Sequence, residues 1–130
     1  MPTRSCCSTE GITVTVNSAY APDRSQPHAS RFFFLYQVTI ANEGETPARL
    51  LSRHWVITDA NGEQQEVRGP GVIGETPYLR PGERFEYVSG CPLTTAFGAM
   101  EGSYEMQRDD GTRFRARIAA FSLALPNAIN

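Results

Sequence analysis

The chain has 130 residues, 40% of them hydrophobic and 20% charged, with a net charge of −2. That length suits one domain with one ordinary core; interspersed charges exclude a large phosphate-neutralising surface, so no DNA partner is expected. No apolar run nears the roughly 20 residues that cross a bilayer, so no membrane insertion is expected, and all twelve basic residues are arginine, which closes any mechanism that needs a lysine.

Residues 1–10 read as a flexible N-terminal tail. They carry no apolar h-region, so the expected location is cytoplasmic. Cys6, Cys7 and Cys91 are an odd set without regular spacing, which reads as reduced thiols and not as a disulfide framework. His28 and His54 fall in no ligand-spaced pair, so no metal site and no cofactor are expected.

A single domain is expected over residues 11–126, with a short C-terminal tail at 127–130. Ile12, Val14 and Val16 alternate with polar residues and predict a half-buried strand over 11–20. Residues 21–31 are polar with two prolines and read as a loop. The run 32–41 is the most β-prone, with Phe34, Tyr36, Val38 and Ile40 on one face and Phe33 and Leu35 starting the other. Such a strand is central or covered. A turn at 42–47 leads to a strand over 48–59, in which Trp55 is the core anchor. Asn61-Gly62 is a hairpin signal, and the returning strand over 63–68 is polar enough for an edge.

A glycine-rich loop follows, then a tight turn at Arg80-Pro81-Gly82-Glu83. A strand is predicted over 84–90, a connection over 91–100, and a strand carrying Gly102, Tyr104 and Met106. Asp109-Asp110-Gly111 is a second hairpin turn. In the last strand, 112–125, the apolar face changes between Ile118 and Phe121, which predicts a bulge at Ala119-Ala120. No segment carries a helical period. The whole reads as all-β: an antiparallel β-sandwich of about seven strands, immunoglobulin-like or fibronectin type III-like.

Gly69, Gly71 and Gly74 spell Gly-x-Gly-x-x-Gly. A dinucleotide site of that kind needs a helix to follow, and Pro77 and Pro81 prevent one. Pro70 also removes an N–H from inside the motif. The favoured reading is structural: the glycines serve positive φ or close packing beside an edge strand. The alternative is a backbone nest for a nucleotide or pyrophosphate anion, with Arg68, Arg80 and Arg84 supplying charge and Glu75 opposing.

Three blocks, RHWVITDANG (53–62), VRGPGVIGETPYLRPGERFEYVSG (67–90) and GAMEGSYEM (98–106), resemble the bacterial ApaG family, also called CorD, with its DUF525-type domain. The resemblance runs from about residue 12 to residue 126. It departs from the family at Pro70, usually polar there, and at Ala96 and Ala119, usually proline. It implies a fibronectin type III-like or immunoglobulin-like sandwich and a link to cobalt and magnesium tolerance or efflux. It implies no assigned enzymatic activity, and it brings no catalytic residues to carry over. Related domains in eukaryotic proteins imply a protein-interaction module. The expected function is therefore non-enzymatic binding of a protein partner, through a surface around Gly69, Gly71, Gly74, Glu75 and Tyr78 with Arg68 and Arg80 nearby.

Overall fold

The structure, a computed structural model, describes residues 2–126; the expected tail at 127–130 lies outside them. The described residues form strands β1 (Arg4–Thr9), β2 (Ile12–Tyr20), β3 (Phe32–Asn42), β4 (Ala48–Asp59), β5 (Gln64–Pro70), β6 (Tyr78–Leu79), β7 (Arg84–Leu93), β8 (Phe97–Gln107) and β9 (Arg113–Ala124). All the pairings between them are antiparallel. One sheet runs β1-β2-β3-β7 and the other β5-β4-β8-β9, with β6 paired to β4. The fold is the expected all-β antiparallel sandwich.

Three expectations need correction. Residues 4–9 form β1 and are not a flexible lead-in. A hairpin turn at Glu10 and Gly11, with φ of 48° and 85°, lays β1 on β2 from Thr9↔Ile12 to Arg4↔Asn17. The stretch 91–100 is mostly strand, because β7 runs on to Leu93 and β8 begins at Phe97. The loop after β5 contains the short β6, which pairs Leu79 with Ala48. The described residues therefore hold nine strands where about seven were expected.

Two bulges set which side chains face the core. On β9, Ala119 and Ala120 together face Glu101, since Met100 pairs Phe121 while Gly102 pairs Ile118. That extra residue keeps Ala116, Ile118, Phe121 and Leu123 all buried, as the sequence predicts. On β4 the register slips at Leu51, between Leu50↔Met106 and Ser52↔Glu105. Before the slip Ala48 and Leu50 point inward; after it Arg53, Trp55 and Ile57 share the inner side.

The core closes around Trp55, which is 2% exposed. It meets Tyr36, Tyr104 and Phe121 edge-on, with ring centroids 5.3, 6.3 and 6.0 Å away. Tilted or edge-on rings at such distances are the favourable geometry. The two open sides of the sandwich differ. On one, β1 and β2 lie against β9, fastened by Arg117 N–H to Thr9 Oγ1 (3.1 Å) and Ser122 N–H to the Pro2 carbonyl (2.8 Å). On the other, the edge strands β5 and β7 face each other across a cleft.

Candidate functional site

The glycine-rich loop springs from the end of β5. Gly71 N–H donates to the Leu51 carbonyl (2.8 Å), and Val72 and Glu75 exchange two bonds of 2.8 and 2.9 Å. Between them Ile73 and Gly74 take φ of 42° and 80°, which makes a two-residue hairpin turn. Gly71 has φ of 58°, and a Cβ there would stand 2.2 Å from the Glu75 carbonyl oxygen. Val72 is fully buried beneath the turn, while Ile73 is 57% exposed at its tip. The amides of Gly71, Val72 and Glu75 thus already hold backbone carbonyls. No helix follows, so the dinucleotide reading has no structural support, and the favoured structural reading of the glycines accounts for the loop.

Gly69 has a different task. It pairs with Arg53 across β4 and β5, and a Cβ on it would lie 2.9 to 3.0 Å from the Arg53 guanidinium. The bare glycine lets that guanidinium lie across the strand. From there Arg53 Nη1 donates to the Pro70 and Gly71 carbonyls, 2.9 Å each. Arg53 ties the base of the loop to the inner side of β4, next to Trp55.

Three phenols sit near this cation. Tyr87 and Tyr104 join their hydroxyls in a buried hydrogen bond. Burial holds Tyr36, Tyr87 and Tyr104 above the ordinary phenol range, and the Arg53 charge opposes that rise in all three. Together these groups line or adjoin the cleft between β5 and β7, a hollow of about 220 Å³. Its walls include Gln65 and Val67 from β5 and Ser89 and Cys91 from β7, with Tyr36 and Trp55 behind them. Burial pushes the Cys91 thiol up to about 11, so it stays protonated and unreactive at neutral pH.

Arg68, Tyr78 and Arg80 fall in two other places. Arg68 is exposed on the outer face of β5, where its Nη2 lies 3.7 Å from Glu66 Oε1, and the same oxygen lies 3.1 Å from His54 Nε2. Tyr78 donates its hydroxyl to the Asp109 carboxylate at 2.9 Å, which raises its own phenol pKa. Arg49 and Arg80 flank the Tyr78 ring, 5.1 and 5.8 Å from its centroid. Arg80 also lies 3.9 Å from Glu83. Glu75 is exposed at the foot of the hairpin turn.

The seven expected residues therefore form a band around the loop and not one pocket. Arg53, the cation nearest the cleft, is not among the residues that the sequence singles out. Counting back from the Asn61-Gly62 hairpin to pair Arg53 with Gly69 would have exposed it. Among the described residues no three His, Cys, Asp or Glu side chains converge to hold a metal ion. Asp110 accepts from Thr112 N–H and Oγ1 at 2.9 and 2.7 Å, the turn chemistry of an Asp-Gly hairpin, and those bonds lower its pKa.

Comparison with known proteins places the chain. Residues 22–108 match the family model described as ApaG domain (DUF525). The protein named ApaG of Anaeromyxobacter dehalogenans strain 2CP-C is 56% identical over 122 residues, covering 94% of this chain and 96% of its own. That of Thiobacillus denitrificans is 52% identical over 119 residues, covering 92% and 94%. A crystal structure of the Bordetella pertussis protein called ApaA superposes with a TM-score of 0.89 at 46% identity, over 94% of this chain and 99% of that one. None of these names designates a reaction. Among the described residues no helix is long and apolar enough to cross a membrane.

Proposed function

The chain belongs to the ApaG family, and from that premise we propose that it is a non-catalytic, cytoplasmic interaction module. It docks a protein partner along the open side of the sandwich, at β5, the loop of residues 71–77 and Tyr78. Through that partner it contributes to cobalt and magnesium tolerance, without holding the metal itself. The observation that carries this reading is the inequality of the two sides. One is fastened by β1 and β2 against β9; the other leaves two sheet edges side by side. An unpaired edge offers its backbone donors and acceptors to an added strand. Ile73, more than half exposed, gives the same side an apolar contact at its margin.

The alternative, a nucleotide or pyrophosphate anion held at Gly69 to Gly74, is the weaker reading. Three of the loop's amides are already bonded to backbone, leaving Ile73 and Gly74 at the tip. The experiment compares two baits, wild type and the double variant Ile73→Asp, Gln65→Arg, in cell extract, with retained partners identified by mass spectrometry. Both positions are exposed, so both baits fold, which circular dichroism checks. We expect the specific partner to be lost from the variant, and the variant to fail to restore growth on cobalt in a deletion strain. Equal capture by both baits removes this side from the interface.

A further inference from the structure

We infer that the cleft between β5 and β7 is a carboxylate subsite. It accepts an acidic side chain carried by an extended peptide segment laid along the open side, and Arg53 selects the charge. This rests on the docking side proposed above and names the partner's chemistry there.

The argument starts from a cation in an unusual place. Arg53 lies on the inner side of β4, in phase with Trp55 and Ile57, and is half-buried. Yet no carboxylate among the described residues lies within ion-pair distance of it. Its protein bonds use Nη1 alone, to the Pro70 and Gly71 carbonyls. The Nη2 and Nε donors have no protein partner among the described residues. Removing a charge from water is unfavourable unless it is paired and hydrogen-bonded. Anchoring two carbonyls uses one corner of the guanidinium. The rest is a planar fork whose geometry matches a carboxylate.

The surroundings fit such a guest. The hollow beside Arg53 measures about 220 Å³ and is lined on several sides by carbon: Trp55, Ile57, Val67 and Met100. Ser89 on β7 and Tyr36 on the adjoining β3 bring hydroxyls to that wall. An apolar recess with one strong donor group takes the methylenes of a glutamate and binds its head. The flanking edges select the form of the molecule that carries it. Both β5 and β7 end their sheets here, so a segment in extended form can pair its backbone while one side chain enters between them. A free small acid would use the Arg53 fork but neither edge.

Two displayed libraries of random nonamers, one with glutamate fixed at the centre and one with glutamine, are selected on the wild-type protein. Binders are expected from the glutamate library, and their glutamine counterparts are expected to bind at least about tenfold more weakly, as loss of a charge-assisted bond requires. Trp55, the only tryptophan, reports entry into the cleft by fluorescence, and amide shifts should follow β5 and β7. Equal recovery from both libraries, or no recovery from the glutamate one, overturns the subsite. Shifts confined to the loop of residues 71–77 also overturn it, while leaving the docking side intact. Acetate or propionate binding as tightly as the peptides would point to a free acid and would overturn the peptide. Arg53→Gln should erase the preference for glutamate. If that variant does not fold, the comparison of the two peptides on wild-type protein still decides.

Discussion

Among the described residues, and tyrosines apart, two polar residues are buried, Ser5 and Asn42, and the fold treats them in opposite ways. Asn42 Nδ2 donates to the Thr46 and Leu79 carbonyls at 2.9 and 3.0 Å, and its Oδ1 accepts from Gly44 N–H at 3.0 Å. Its backbone adds bonds to Glu83 and Gly82. One side chain thus joins the end of β3 to the turn before β4 and to β6. Ser5 Oγ, by contrast, is buried on β1 with no hydrogen-bond partner among the described residues. An orphaned hydroxyl costs stability, whereas a fully bonded amide that is removed leaves its partners orphaned. We therefore expect Ser5→Ala to stabilise the protein by about 1 kcal/mol and Asn42→Ala to destabilise it by about 2–4 kcal/mol. Urea midpoints read both, and a midpoint lowered by Ser5→Ala would show that the hydroxyl has a partner after all.

At the scale of elements, the turn after β5 makes a prediction that separates its two glycines. Gly71→Ala must place its Cβ 2.2 Å from the Glu75 carbonyl at a φ of 58°, so the hairpin must open. Gly74→Ala meets nothing within 4 Å and suffers only from a φ of 80°. The expected losses are about 2–4 kcal/mol at Gly71 and about 1 kcal/mol at Gly74, read by thermal unfolding. Equal losses would mean that backbone conformation, and not the close approach, sets the turn. The same elements show what a linear reading reaches. Period-two alternation reveals β2, β3, β7 and β9, apolar content reveals β4, and the change of phase between Ile118 and Phe121 reveals the β9 bulge. β1 escapes because its inward positions are Ser5, Cys7 and Thr9, polar or small residues that give no apolar rhythm. Arg53 escapes because of Leu51. Continued from Leu50, the alternation would turn Ser52 and His54 inward; the extra residue brings Arg53 and Trp55 inward instead. A bulge is a property of pairing with β8, and the strand alone does not record it. The cleft depends on that bulge and on Gly69 together, so it becomes visible only once β4 and β5 are in register.

On the scale of the whole molecule, the two sheets are joined by groups that resist ionisation. Tyr36, Tyr87 and Cys91 come from the first sheet and Tyr104 from the second, with the Tyr87–Tyr104 hydrogen bond crossing the core. Burial raises the pKa of all four, the Cys91 thiol to about 11 from an ordinary 9.0. The unfolded chain therefore gives up these protons first as pH rises. Since the unfolded state then binds fewer protons than the native one, stability falls with increasing pH. It is fully present below about pH 9, begins to fall as the unfolded thiol ionises, and falls more steeply above about pH 10 as the unfolded phenols follow. The urea midpoint should be level between pH 7 and 8.5 and decline through pH 11. Cys91→Ala should move the onset upward by about one pH unit, from the thiol range to the phenol range. Tyr104→Phe should flatten the steep part, because one of its titrating groups is gone, although it leaves the Tyr87 hydroxyl without its partner at every pH. A midpoint unchanged to pH 11 in the wild type would mean that water reaches the phenols through the cleft. The open side would then be wetter than its lining of Trp55, Val67 and Met100 implies, and the carboxylate head beside Arg53 would meet a hydrated cation in place of a half-buried one. The alkaline titration and the peptide selection thus examine the same wall of the sandwich from its two faces.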